Sequence, residues 1–190
     1  MPEAQAEGQG QEQLYYAVTQ LGRYGREIAF GLVSIALYKT GQSGALGYYL
    51  IGSTITILLN VALKIIIKQP RPKYDKPDFH FVIENSESER MKYDKYGTPS
   101  GHAQFMSYTV AFAAYALWGR RYYWQIMLTL LLLTCNTLTQ RVINKDHYIA
   151  QIVAGCVVGS LVGITMYYMV KSKLKGSMKA KEDDNALFIP

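Results

Sequence analysis

Four apolar runs constrain this chain more than any other feature. Ala45 to Ile67, Ala103 to Trp118, Tyr122 to Thr139 and Tyr148 to Val170 each come close to the roughly 20 residues with which an α-helix crosses a bilayer. The near-zero mean hydropathy of the whole chain hides them, because the charges gather elsewhere: in the polar start Met1 to Gln13, in Gln69 to Pro99, and in the tail Lys171 to Pro190. A fifth segment, Tyr15 to Tyr38, is also apolar, but Arg23, Arg26 and Glu27 in its first half have to face protein, water or lipid headgroups. The expected fold is therefore all-α. It is a polytopic transmembrane helix bundle of about five spans (four to six), forming one domain over residues 1–190, with a long polar loop between the second and third spans.

Charge placement orients the bundle. The formal net charge is +6, and much of it flanks the apolar runs: Arg120 and Arg121 between two of them, and Lys171, Lys173, Lys175, Lys179 and Lys181 after the last. A nucleic-acid partner needs a solvated basic face on a soluble domain, which this pattern does not offer. The positive-inside rule accounts for it better and makes the tail 171–190 cytosolic. Counting back through the spans places the 69–99 loop and the Asn144 to His147 turn together on the opposite face. The start MPEAQAEGQG lacks the basic leader and apolar centre of a cleaved signal, so insertion is expected to rely on the spans. Cys135 and Cys156 fall inside apolar runs, where a thiol packs as a small hydrophobe. The Lys73 to Tyr96 loop, which contains His80, reads as a solvated connector or a substrate lid.

Three polar clusters fall on that opposite face. The first, Lys64-Ile-Ile-Ile-Lys-Gln-Pro-Arg71-Pro72, ends a span. Its two cations are about two helical turns apart and project from similar sides, while the flanking prolines fix the backbone for a guanidinium that can grip phosphate oxygens in two places. Snorkelling at an interface is the alternative. The second, Tyr96-Gly-Thr-Pro-Ser100-Gly101-His102, opens a helix, where free backbone N–H groups and the helix dipole attract an anion. Ser100 could add its hydroxyl or act as an ordinary N-cap; Gly101 admits close approach of a ligand, and His102 could protonate a leaving oxygen. The third runs from Gln140-Arg141 to Asp146-His147 and Gln151. His147 and Gln151 are four residues apart, so the amide can accept from Nδ1–H of the ring and leave Nε2 available for attack. Arg141 would supply another phosphate contact.

In this order and spacing, the clusters resemble the type-2 phosphatidic acid phosphatase superfamily. Its pattern runs Lys, six residues, Arg-Pro; then Pro-Ser-Gly-His; then Ser-Arg, five residues, His, three residues, Asp. Lys64, Arg71, Pro72, Pro99, Ser100, Gly101, His102, Arg141 and His147 match. Gln140 stands where Ser is usual and Gln151 where Asp is usual. The dolichyl diphosphatase and glucose 6-phosphatase branches carry Gln at the latter place. Lys95-Tyr96-Gly97 before the second cluster and Gln104-Phe105-Met106 after it are similar to the dolichyl branch, although Gly101 and Ala103 stand where that branch prefers serines.

The resemblance implies a phosphatase in which His147 is the nucleophile, His102 the acid and Gln151 the residue that orients His147. Lys64, Arg71, Ser100, Gly101 and Arg141 would hold the phosphoryl oxygens. It implies a polyisoprenyl diphosphate such as dolichyl diphosphate as substrate, with phosphatidate, lysophosphatidate or a sugar phosphate as alternatives. The site would face the lumen of the endoplasmic reticulum, or the periplasm in a bacterium. No Asp/Glu/His set has metal-ligand spacing, so neither a metal nor another cofactor is expected, and the partner is a lipid phosphate in the membrane, with no obligate protein partner. The alternative of another class is a non-enzymatic protein that binds or flips lipid phosphates.

Overall fold

A computed structural model describes residues 2–72 and 95–186, and the side chains of 12–72 and 95–173. His80, and with it the choice between connector and lid for most of the Lys73 to Tyr96 loop, lies outside the described residues. What is described is an all-α membrane bundle of six α-helices: α1 Pro2–Arg23, α2 Gly25–Lys39, α3 Ser43–Ile67, α4 Gly101–Ala116, α5 Tyr123–Ile143 and α6 Ile149–Ala186.

The four apolar runs correspond to α3, α4, α5 and α6. Three stretches are long and apolar enough to cross a membrane: α3, α5 and Ile149–Lys173 of α6. Only 22%, 22% and 33% of their most apolar windows are buried within the protein, and the side chains left outside include Ile55, Leu58, Leu128, Leu132, Val157 and Leu161. A surface of that kind needs lipid rather than water against it. With 16 residues, α4 is about 24 Å long, shorter than the roughly 30 Å hydrocarbon core, and it is the internal helix of the bundle, with Gln104, Met106, Tyr108, Thr109 and Phe112 fully buried.

The segment expected to run unbroken from Tyr15 to Tyr38 is two helices that meet at Tyr24 (φ −99°, ψ 10°). Contacts with α5 on both sides of the junction account for the break. Asn136 and Gln140 each donate a side-chain N–H to the Val18 carbonyl at 2.9 Å, which fixes α1. Seven residues on, a Cβ at Gly25 would collide with Thr137 Oγ1, so α2 begins pressed against the same helix. Gln140, at the position where the superfamily pattern has Ser, thus serves to dock α1.

The closest packing in the molecule is between α4 and α6. Gly155, Gly159 and Gly163 recur every four residues on one side of α6, and Cβ atoms there would lie 2.6 Å from the Ser100 carbonyl, 1.9 Å from that of Gln104 and 2.6 Å from that of Tyr108. The absence of side chains lets two backbones touch, which is how helices gain van der Waals contact where lipid removes the hydrophobic drive. On its other side α4 is bolted to α3 by buried polar groups. Gln104 donates to the Thr56 carbonyl at 2.9 Å and accepts from Asn60 at 2.9 Å; Tyr108 donates to the Tyr49 carbonyl at 2.6 Å, and the two tyrosine rings stack 5.6 Å apart. Cys135 is exposed on α5, Cys156 is half-buried on α6, and both thiols are free.

Gly159→Ala should therefore destabilise the protein by about 1–3 kcal/mol, the usual range for overpacking. Gly31→Ala in α2, where a Cβ meets nothing within 4 Å, should be neutral or stabilising by up to about 1 kcal/mol. Thermal unfolding of both variants in detergent checks the pair; equal melting temperatures would remove the glycine contact as a source of stability.

Candidate functional site

The site is assembled from three chain segments that converge at one end of α4 and α6. Each is shaped by local chemistry. After Lys64, α3 ends at Lys68 in the left-handed conformation (φ 52°), which turns the chain into Gln69 and Pro70. This strand-like piece pairs with the returning chain: Pro70 bridges to Tyr96, Gly97 N–H donates to the Gln69 carbonyl at 2.8 Å, and the Thr98 hydroxyl donates to Gln69 Oε1. These contacts join the described residues on either side of 73–94 and deliver the chain to Ser100 and α4.

Ser100 caps α4. Its Oγ accepts from Ala103 N–H at 3.5 Å, its own N–H donates to the Gln151 carbonyl at 3.0 Å, and the residue is fully buried. Of the two roles open from sequence, the structure places Ser100 in the N-cap role, behind the cavity wall rather than in it. The third segment is the α5–α6 turn. Asp146 and His147 both donate backbone N–H groups to the Arg141 carbonyl, at 3.0 and 3.2 Å. The Arg141 guanidinium meets Asp146 Oδ2 at 3.3 Å.

Gln151 links all of this. Its Oε1 lies 3.3 Å from His147 Nδ1 and accepts from Tyr148 N–H at 3.3 Å, while its Nε2 donates to the Pro70 carbonyl at 2.8 Å. A carboxylate could take the first two contacts but has no proton for the third, so an amide is the group that joins His147 to the α3–α4 connection. Gly97 fits the same picture, since a Cβ there would lie 2.2 Å from Gln151 Oε1. Gln151, like Ser100, is fully buried and outside the cavity wall.

The cavity has a volume of about 480 Å³. Lys64, Arg71, Gly101, His102, Arg141 and His147, all singled out from sequence, line it together. Sequence reasoning gave no role at the site to four further polar wall residues: Arg26 of α2, Thr56 and Asn60 of α3, and Asp146. Arg26 was legible only as a charge misplaced in an apolar segment. Among the described wall residues, Lys64, Arg71, Arg141 and Arg26 stand against the single carboxylate of Asp146, so the cavity is strongly cationic. Lys64 is 5% exposed and His147 4%. Thr56 Oγ1 and Arg141 Nε are buried without a hydrogen-bond partner among the described residues, and buried polar atoms of that kind favour a polar occupant. Among the described residues, no group of three or more His, Cys, Asp or Glu side chains could hold a metal ion.

Burial holds the His147 imidazole well below the usual histidine range, near pH 4. The positive charges of Arg71 and Lys64 act in the same direction, and the Gln151 hydrogen bond and Asp146 oppose them. The ring is neutral at physiological pH, with Nδ1 engaged by Gln151, so Nε2 carries the lone pair. A neutral imidazole amid cations is a competent nucleophile toward an anion that those cations hold.

The PAP2 superfamily model matches residues 45–175, a stretch that takes in all three clusters. The chain is 26% identical over 153 residues to a palmitoyl-protein thioesterase-dolichyl pyrophosphate phosphatase fusion of Schizosaccharomyces pombe, an alignment covering 74% of this chain and 21% of that protein. It is 30% identical over 167 residues to a chloroplastic lipid phosphate phosphatase epsilon 1 of Arabidopsis thaliana, covering 86% of this chain and 53% of the relative. The chain thus spans about half, or less, of the length of these two relatives. No solved structure matches.

Without substrate, the His147 imidazole should titrate near pH 4 rather than near the usual histidine value of 6.5. Gln151→Glu should raise that midpoint by about one unit or more, because a carboxylate beside Nδ1 favours the imidazolium. Histidine-selective NMR reads both; a wild-type midpoint above 6, or no upward movement in the variant, would contradict the electrostatic description.

Proposed function

This chain belongs to the PAP2 superfamily, and from that premise we propose that it is an integral-membrane lipid phosphatase whose substrate is a polyisoprenyl diphosphate of the dolichyl type. The observation that carries the reading is the convergence of His147, His102, Lys64, Arg71 and Arg141 on one cationic cavity. The relatives named for dolichyl pyrophosphate and lipid phosphate support a lipid-borne phosphate. The diphosphate rests on the Lys95-Tyr96-Gly97 and Gln151 features, which in this fold depend on one another through the close contact of Gly97 with Gln151.

In the proposed reaction, Arg71, Arg141, Lys64 and the N–H groups at the start of α4 neutralise the phosphoryl oxygens as charge spreads in the transition state. Ser100 contributes by capping that helix and leaving its first N–H groups directed outward. His147 Nε2 attacks phosphorus in line. The N–P bond forms as the bond from phosphorus to the bridging oxygen breaks, and His102 gives its proton to the departing oxygen. Water then attacks the phosphohistidine, His102 takes a proton from it, and phosphate leaves with His147 restored. Gln151 is a positioning residue. No step calls for a metal ion.

In this reading residues 1–190 act as one membrane phosphatase domain, with 69–99 on the active-site side and the basic tail 171–190 in the cytosol. That arrangement puts the site on the luminal face of the endoplasmic reticulum, or the periplasmic face in a bacterium. A second reading, a phosphatase for phosphatidate-like monoesters, is favoured by the likeness to the Arabidopsis lipid phosphate phosphatase and would use the same residues.

The protein purified in detergent with excess chelator should release phosphate from dolichyl diphosphate faster than from phosphatidate or glucose 6-phosphate. His147→Ala should lower that release by about a thousandfold or more, as for loss of a nucleophile. It should also abolish an acid-labile, alkali-stable phosphoprotein trapped by rapid quench. Release that survives in His147→Ala would remove the nucleophile, and preference for phosphatidate would keep the site and change the substrate.

A further inference from the structure

A second cavity adjoins the first. It lies between α2 and α3, has a volume of about 550 Å³, and is walled mainly by Phe30, Leu50, Ile57 and Phe105 with Ser53 and Thr54. Arg26, Ile57 and Phe105 line both cavities, so the apolar groove and the cationic pocket meet at Arg26. This guanidinium rests on its neighbour Glu27, with Nη2 and Nε donating to Oε1 at 2.7 and 3.0 Å. Both side chains are far from buried, at 40% and 50% exposure. An exposed pair of that kind is worth about 0–1 kcal/mol, little enough for a bound anion to draw Arg26 away.

Arg26 is not equivalent to the other cations. The positive side chains acting most strongly on His147 are Arg71 and Lys64, whereas those acting on His102 are Arg141 and Arg26. Arg26 shares the pocket wall with the proposed acid His102 and stands where the apolar groove begins. A lipid phosphate monoester departs as an alcohol, which has no charge for a guanidinium to hold. A lipid diphosphate departs as a phosphate monoester, which remains anionic after the bridging bond breaks and takes up at most one proton from His102.

We propose that Arg26 is a specificity-determining residue that binds the lipid-side phosphate of a diphosphate substrate, while the hydrocarbon chain attached to that phosphate lies in the α2–α3 groove. The inference rests on the phosphatase reading above and goes beyond it by assigning the leaving half of the substrate to residues outside the three sequence clusters.

The test uses the full chain in detergent and three probes: an isoprenyl diphosphate, the matching isoprenyl monophosphate, and water-soluble p-nitrophenyl phosphate. Arg26→Gln should lower the ratio of kcat/KM for the diphosphate to kcat/KM for the monophosphate by about tenfold or more, the loss of one charge-assisted hydrogen bond. Arg26→Lys should restore part of that ratio, which a purely structural role would not do. Thr54→Trp, at an exposed position in the groove wall, should lower kcat/KM for the isoprenyl diphosphate relative to p-nitrophenyl phosphate. A ratio unmoved by Arg26→Gln in an active enzyme overturns the role of Arg26, and equal effects of Thr54→Trp on lipid and aryl substrates remove the chain from the groove. Wild-type protein that releases phosphate from none of the three overturns the phosphatase reading and this inference with it.

Discussion

The contact between the backbones of α4 and α6 is the constraint on which the rest of this structure depends. Gly155, Gly159 and Gly163 let α6 approach carbonyls of α4 to distances that no side chain permits. Continued toward the start of α6 at the same four-residue interval, that ridge passes through Gln151 and reaches His147. The first carries the carbonyl that accepts from Ser100 N–H, and the second lines the cavity beside His102, the second residue of α4. Helix packing in the bundle thus fixes the placement of two histidines more than forty positions apart in the chain. A shift of α6 along α4 would separate them.

Around that contact the molecule keeps His147 neutral in a cationic setting. Burial and the charges of Arg71 and Lys64 disfavour the imidazolium, and an amide rather than a carboxylate orients the ring. The substitution of Gln for the Asp of the superfamily pattern has a structural reason in this fold: the same amide donates to the Pro70 carbonyl and so ties the histidine to the segment bearing Arg71.

Much of this was legible in the sequence because both signals were local. Apolar length marked α3 and α5 nearly to their ends and α6 at its start, although α6 runs on to Ala186 beyond the apolar residues, and spacing within short motifs identified the six wall residues from Lys64 to His147. What was missed depended on partners remote in sequence. The glycines of α6 sit at a regular interval, but only the presence of α4 gives that interval a meaning. The apolar run of α4 gave no sign of its central place, which shows only once Gln104 and Thr109 are seen to be buried among the other helices. Tyr15 to Tyr38 looked continuous because the break at Tyr24 is imposed by α5. Arg26 looked like a liability in an apolar segment until folding brought it to the pocket, and Gln140 registered only as a departure from the superfamily pattern, although its amide docks α1.

The most direct test of the account is a structure of the protein bound to orthovanadate, which takes up the five-coordinate geometry of phosphoryl transfer. The account predicts vanadium bonded to His147 Nε2, with equatorial oxygens on Arg71, Arg141 and the N–H groups opening α4, and His102 at the apical oxygen opposite. Vanadate bound with His147 outside bonding distance, or seated elsewhere on the molecule, would contradict it.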